Sequence, residues 1–186
     1  MPSNYNMPDP VLGTKDLDDE FITDSWLVEQ YVGNTIWGTG QNLNGSLFLG
    51  VGTSKSSMTL GLGLNYTSVV TGNYYGMAIR NDGTLWACGY NLQGQLGIGT
   101  SVSVSSPVQV GTLTNWKSVT CGQNYTAAIK TDGSLWTWGD NYWGELGTNV
   151  NTVSYYSSPV QVGSLTNWRQ VSCSLENTMA ISIANI

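Results

Sequence analysis

Along most of the chain, apolar and polar residues alternate in runs of five or six, cut by turns that carry glycine. WKSVTC (116–121) alternates and stops at Gly122; YTAAIKT (125–131) follows, then Asp132-Gly133, then SLWTWG (134–139). A period of two over such a length marks a half-buried strand, because successive strand side chains point to opposite faces. Asp-Gly between two such runs predicts a hairpin with a type I′ turn, in which both central residues take positive φ. Asn81-Asp82-Gly83 repeats the device, and Gly33-Asn34 fits a third copy. A further strand, SPVQV, carries a proline at its second residue, which suits a strand start or an outer edge.

The pattern recurs as sequence. Residues 106–116 (SPVQVGTLTNW) and 158–168 (SPVQVGSLTNW) differ only at Thr112 and Ser164, and the match extends back to align 72–99 with 122–149. Residues 34–52 and 65–72 form a weaker upstream copy, and NTMAISI (177–183) opens another. Four short strands recurring at about 40–50 residues are the signature of propeller blades. The expected architecture is all-β, with β-propeller-like blades of four-stranded antiparallel sheets and about three units per chain. The units are 34–71, 72–121, 122–173 and a partial 174–186, behind an arm of residues 1–33. Within the arm, residues 16–32 fit an amphipathic helix ending at Gly33, and Trp26–Tyr31 fit a strand completing the first blade; the sequence leaves both open. Three units cannot close a ring of the usual 4–8 blades. Asn177–Ile183 lacks a hairpin partner and Asn34–Gly40 lacks a preceding strand, so head-to-tail strand exchange into a homo-oligomer is expected.

Charge narrows the function classes. Only 10% of residues are charged, and the net charge of −6 resides entirely in residues 1–30, which hold seven acids and one base; residues 31–186 balance at five each. With no basic patch to displace counterions, a nucleic-acid partner is not expected. The N-terminal MPSNYNMPDP lacks the charged and apolar regions of an export signal, and no apolar run reaches spanning length, so neither secretion nor membrane insertion is expected.

Catalytic inventory is thin. The chain has no histidine, which removes the commonest general base and the usual zinc ligands. Cys88, Cys121 and Cys173 lack C-x-x-C spacing, and the last two recur with the repeat, so all are expected to be free thiols. Asp82 and Asp132 read as turn residues, DLDDE (16–20) lacks calcium-ligand spacing, and Gly94–Gly99 lacks the Gly-Lys-Ser/Thr of a phosphate loop. No catalytic residue, metal or cofactor is expected. Trp86, Trp136, Trp116 and Trp168 repeat and read as packing between blades. Trp143, which replaces Gln93, and Tyr155-Tyr156, in a loop two residues longer than its counterpart, break the repeat, and binding is commonly grafted onto such irregularities. With Trp26 in the arm, they are the candidate partner-binding residues.

DGSLWTWGDNYWGELG, with a Pro-Val strand downstream and a Ser-Val-x-Cys-Gly strand before the next unit, resembles the regulator-of-chromosome-condensation repeat. The resemblance implies a β-propeller, usually of seven blades. Tyr75 and Tyr125 stand where that family commonly has histidine. A short chain with degenerate repeats of this family behind an acidic arm containing DSWLVEQYVG is similar to short repeat proteins carried by tailed bacteriophages, particularly marine ones. That likeness implies a non-enzymatic virion structural protein, an appendage, fibre or decoration subunit. It would attach to other virion proteins through the arm and could face a host surface receptor. The alternative is a soluble, cytoplasmic protein-binding propeller, such as an enzyme inhibitor or interaction scaffold. Nucleotide exchange on a small GTPase is implied by the family alone.

Overall fold

The alternation becomes twelve strands among the described residues, 34–149 and 155–184 of a computed structural model. Strands β3 (Tyr66–Thr71), β4 (Tyr75–Arg80), β5 (Leu85–Gly89) and β6 (Val104–Gln109) form one antiparallel sheet in chain order. β7 (Trp116–Cys121), β8 (Tyr125–Lys130), β9 (Leu135–Gly139) and β10 (Tyr156–Gln161) form a second in the same order. Two shorter sheets flank them: β1 (Thr35–Gly40) pairs β2 (Lys55–Leu64), and β11 (Trp168–Cys173) pairs β12 (Thr178–Ser182). The register repeats with the sequence, since Val69, Ala78 and Trp86 lie side by side, as do Val119, Ala128 and Trp136. The fold is thus all-β, with four-stranded antiparallel sheets as expected, and the SPVQ strands β6 and β10 lie at outer edges. The two readings of residues 16–32, and Trp26, fall outside the described residues. Among those described, no helix is long and apolar enough to cross a membrane.

The hairpin turns differ from expectation. Gly83 and Gly133 have φ of 76° and 79°, but neither Asp82 nor Asp132 is in the positive region. The turn closes by Gly83 N–H donating to Arg80 C=O at 3.0 Å, so a turn with a single left-handed glycine replaces type I′. The aspartate is held by its own side chain. Asp82 Oδ1 accepts from Thr84 N–H (3.0 Å) and hydroxyl (2.6 Å), and Thr84 Oγ1 accepts from the Trp86 indole at 2.8 Å. Asp132, Ser134 and Trp136 repeat the ladder. These hydrogen bonds hold both carboxyls below the usual range. Trp86 and Trp136 are half-buried, each under a cation, with Arg80 4.0 Å and Lys130 Nζ 3.5 Å from the ring centroids.

A core of buried residues joins the two four-stranded sheets: Tyr75, Met77, Leu85, Leu96, Trp116 and Trp138 are among its members. Each such side chain contributes roughly 1.5–3 kcal/mol by leaving water. Among the polar links between sheets, two run through tyrosine. Tyr75, fully buried in β4, donates its hydroxyl to the carbonyl of Tyr125 in β8, with Gly122 C=O at 3.2 Å. Tyr125 repeats the reach, donating to Asn177 C=O at 2.6 Å beside β12. Ring and backbone are so close that a Cβ on Gly122 would lie 2.0 Å from Tyr125 Cε1, hence the glycine two residues before the Asn-Tyr. Within each sheet, a buried asparagine secures the loop after the third strand. Asn91 Nδ2–H donates to Thr100 and Val102 carbonyls (2.9 and 3.0 Å), and Asn91 Oδ1 accepts from Leu96 N–H at 2.9 Å.

All three cysteines are free. Burial pushes the Cys88 and Cys121 thiols up to about 12, and raises Cys173 as well. In native protein at pH 8 the three should react slowly with a disulfide reagent and rapidly after denaturation; a fast stoichiometric reaction of Cys88 or Cys121 in native protein would show the sheets do not pack as described. Tyr75→Phe leaves the Gly122 carbonyl without the hydroxyl and the Tyr125 carbonyl with only the Gly122 N–H, and should cost about 1–3 kcal/mol, lowering Tm by several degrees. Tyr74→Phe, at an exposed ring, should leave Tm unchanged; equal Tm for both variants would refute the bridging role.

Candidate functional site

Of the residues that break the repeat, Trp143 lies where the second four-stranded sheet meets β11–β12. The loop after β9 closes by Gly144 N–H to Asn141 C=O (3.3 Å) and Gly147 N–H to Gly144 C=O (3.0 Å), with Asn141 Oδ1 accepting from Leu146 N–H at 3.2 Å. The loop after β5 has the same turns, from Asn91 through Gly94 to Gly97. Backbone geometry is shared, so the difference lies in side chains. Tyr90, Leu92, Gln93 and Gln95 of the first loop are replaced by Asp140, Tyr142, Trp143 and Glu145 of the second.

Trp143 is 67% exposed and packs edge-on against Tyr142, ring centroids 4.7 Å apart. Its backbone N–H donates to Glu145 Oε2 at 2.8 Å, as Gln93 N–H donates to Gln95 Oε1 at 3.0 Å. A cavity of about 230 Å3 lies beside this pair, lined also by Asn124, Asp140, Glu145 and Glu176. Trp143, Glu145 and Glu176 also line a second cavity of about 380 Å3, which reaches Val162, Trp168 and Ala180. Residues 34–186 contain five carboxylates. Asp82 and Asp132 serve their turns, and the other three converge on the smaller cavity, which no lysine or arginine lines. Carboxylates beside exposed aromatic faces attract cations, through charge and through the ring quadrupole. Among the described residues no group of three or more His, Cys, Asp or Glu could hold a metal ion.

The structure thus separates the sequence candidates. Trp143 lines both cavities. Tyr155 is exposed, while Tyr156 opens β10 opposite Gly139 and packs against the core; neither lines these cavities. Asp140, Glu145 and Glu176 were not singled out by the repeat-breaking argument. Their signal was present as neutral-to-acidic changes between aligned loops, but their convergence requires the turn at Glu176 to fold over a loop some thirty residues earlier.

The regulator of chromosome condensation (RCC1) repeat matches residues 82–129 and 132–181, and a second form of it matches 66–95 and 116–144. No curated protein matches. Among solved structures, Prp20p from Saccharomyces cerevisiae, described with its binding properties to Gsp1p and histones, is 18% identical with TM-score 0.67. It covers 80% of this chain and 40% of its own. Human WBSCR16 is 19% identical, TM-score 0.67, over 78% of this chain and 39% of its own. A structure of Kap60 bound to yeast RCC1 (Prp20) gives 18%, 0.65, 80% and 37%. At these identities the likeness concerns the fold, and the chain spans about two-fifths of those relatives' length.

These matches correct the phage expectation. The repeats, matched within residues 66–181, are shared with solved yeast and human proteins. The virion role and placement, the virion partners and the host surface receptor are therefore withdrawn. The homo-oligomer by strand exchange is withdrawn with them, since the solved relatives are described with other proteins, Gsp1p, histones and Kap60. Because the repeat match extends over more than half of the sequence, the chain belongs to the regulator of chromosome condensation (RCC1) repeat family.

Proposed function

We propose that the chain is a protein-binding scaffold of propeller-type blades, acting by docking rather than catalysis, whose loop face at Tyr142 and Trp143 takes a cationic segment of a partner protein. The observation that carries this reading is the convergence of Asp140, Glu145 and Glu176 with an exposed aromatic pair on one cavity, where the preceding sheet's aligned loop is neutral. Protein binding by solved relatives supports it: Prp20p is described with Gsp1p and histones, and yeast RCC1 with Kap60. Docking rather than catalysis is supported by a chain without histidine, whose thiols are pushed toward the protonated, unreactive form.

The test is calorimetric titration with a Lys/Arg-rich peptide against an acidic peptide of equal length. The basic peptide should bind, weaken several-fold with Asp140→Asn or Trp143→Ala, and weaken further at about 1 M salt, where the Debye length is roughly 3 Å. Equal binding of the acidic peptide, or indifference to Asp140→Asn, would refute the cationic reading.

A further inference from the structure

The two repeated hairpins each hold a cation over aromatic rings, but the cations are not equally provided for. Arg80, which ends β4, lies 4.0 Å from the Trp86 centroid and 5.2 Å from that of Tyr66, whose hydroxyl accepts from Arg80 Nη2 at 3.5 Å. Lys130 ends β8 in the same way, with its Nζ 3.5 Å from the Trp136 centroid and 4.9 Å from that of Trp116. Trp116 stands where Tyr66 stood, and the acceptor is lost with the exchange. An indole can only donate, and the Trp116 N–H is itself buried without a partner. Lys130 is 5% exposed, yet its ammonium has no hydrogen bond or ion pair among the described residues. Asp132, two residues on, is engaged by Ser134.

This ammonium belongs to the wall of a cavity of about 280 Å3 where the two four-stranded sheets meet. Ile98 comes from the loop after β5, Val110 and Leu113 from the connection after β6, Trp116 and Trp136 from β7 and β9, and Pro159 from β10. The walls are thus mostly apolar, with the exposed Ser158 adding a hydroxyl. Among the described residues that line it, Lys130 alone is charged; Asp140, Glu145 and Glu176 belong to the other cavity. Burial pulls the Lys130 pKa below its ordinary value, and Asp132 offsets only part of that fall. The two indole faces meet part of the ammonium's need for negative charge, but a cation taken out of water is costly until an anion pairs with it.

We infer that this cavity is a binding site for a small organic acid, a carboxylate carried on a short apolar body. The carboxylate pairs with the Lys130 ammonium in a charge-assisted hydrogen bond. The body lies against Ile98, Val110 and Leu113 and the two indoles, leaving water as it does so. Other ligand classes fit one half of the site only. Inorganic phosphate would leave the apolar walls uncovered, and an uncharged hydrocarbon would leave the ammonium unpaired. The volume sits at the small end of ligand pockets, which limits the body to a short chain or a single ring. The site is opposite in sign to the acidic cavity beside Trp143 and does not rest on the cationic-partner reading.

The full chain is titrated with sodium hexanoate, followed by calorimetry and by NMR of the indole N–H groups and the methyls of Ile98, Val110 and Leu113. Saturable shifts are expected at Trp116, Trp136 and these methyls, with the ligand's own methylene signals moved upfield by the indole rings. Acetate, which has the charge without the body, and hexanamide, which has the body without the charge, should each bind at least about tenfold more weakly. Inorganic phosphate should do no better. Lys130→Met keeps an apolar stem over the indoles and should erase the preference for hexanoate over hexanamide. Leu113 is exposed, so its replacement spares the fold. Leu113→Glu brings a rival carboxylate to the cavity and should bind hexanoate several-fold more weakly than Leu113→Gln. Absence of saturable binding, equal affinity for hexanamide, or shifts that leave out Trp116 and Trp136 would overturn the inference. So would equal affinities of the two Leu113 variants, or a folded Lys130→Met protein that still prefers hexanoate.

Discussion

The arrangement of the sheets depends on a hydroxyl that crosses from one to the next. Apolar burial brings the sheets together but is indifferent to how far one slides or rotates on the other. Tyr75 removes that freedom, because its hydroxyl must reach the backbone carbonyls of Gly122 and Tyr125 from a site with no water. Burial raises its pKa well above the ordinary value, so it remains a donor throughout the physiological range. Tyr125 passes the same constraint onward to Asn177. There the series changes chemistry: asparagine occupies the tyrosine's place, and Ser174 stands where Gly72 and Gly122 made room for a ring.

That constraint fixes what the loops can do. With the sheets registered by tyrosine and each loop secured by its buried asparagine, the Asp140–Gly147 loop has the backbone of its counterpart, and its altered side chains appear at positions already determined. The acidic-aromatic rim is a set of substitutions on a rigid frame, which positions groups more accurately than a free loop could.

Much of the fold was legible because it is local. Alternation, Asp-Gly turns and the duplicated SPVQV strands placed β3 to β10 and put β6 and β10 at edges. The turn type was misread because Asp-Gly chemistry is ambiguous until the aspartate's acceptor is seen to engage Thr84 or Ser134. Trp143 stood out as a break in the repeat, whereas Tyr156 broke it equally and became part of the packed structure. The two differ only in where neighbouring sheets lie, which no single repeat records. Asp140 and Glu176 were invisible as a pair for the same reason. The phage reading drew on the acidic arm, the short set of degenerate repeats and the thin catalytic inventory, none of which carries a contact that identifies a partner.

Where one sheet meets the next, Phe48 is buried with the small Cys88, whereas Gly97 faces Trp138 so closely that a Cβ there would lie 2.6 Å from the indole nitrogen, and this pairing of sizes bears on biosynthesis. A chain that repeats nearly identical segments invites each to fold against the wrong neighbour, a hazard of repeat proteins. Here a mismatched pairing would force phenylalanine against indole or leave glycine facing cysteine across a void, and either costs more than the correct order. The difference in size therefore works as a label written in volume that sets the first junction apart from the second, while Gly97 and Gly147 leave the later loops alike.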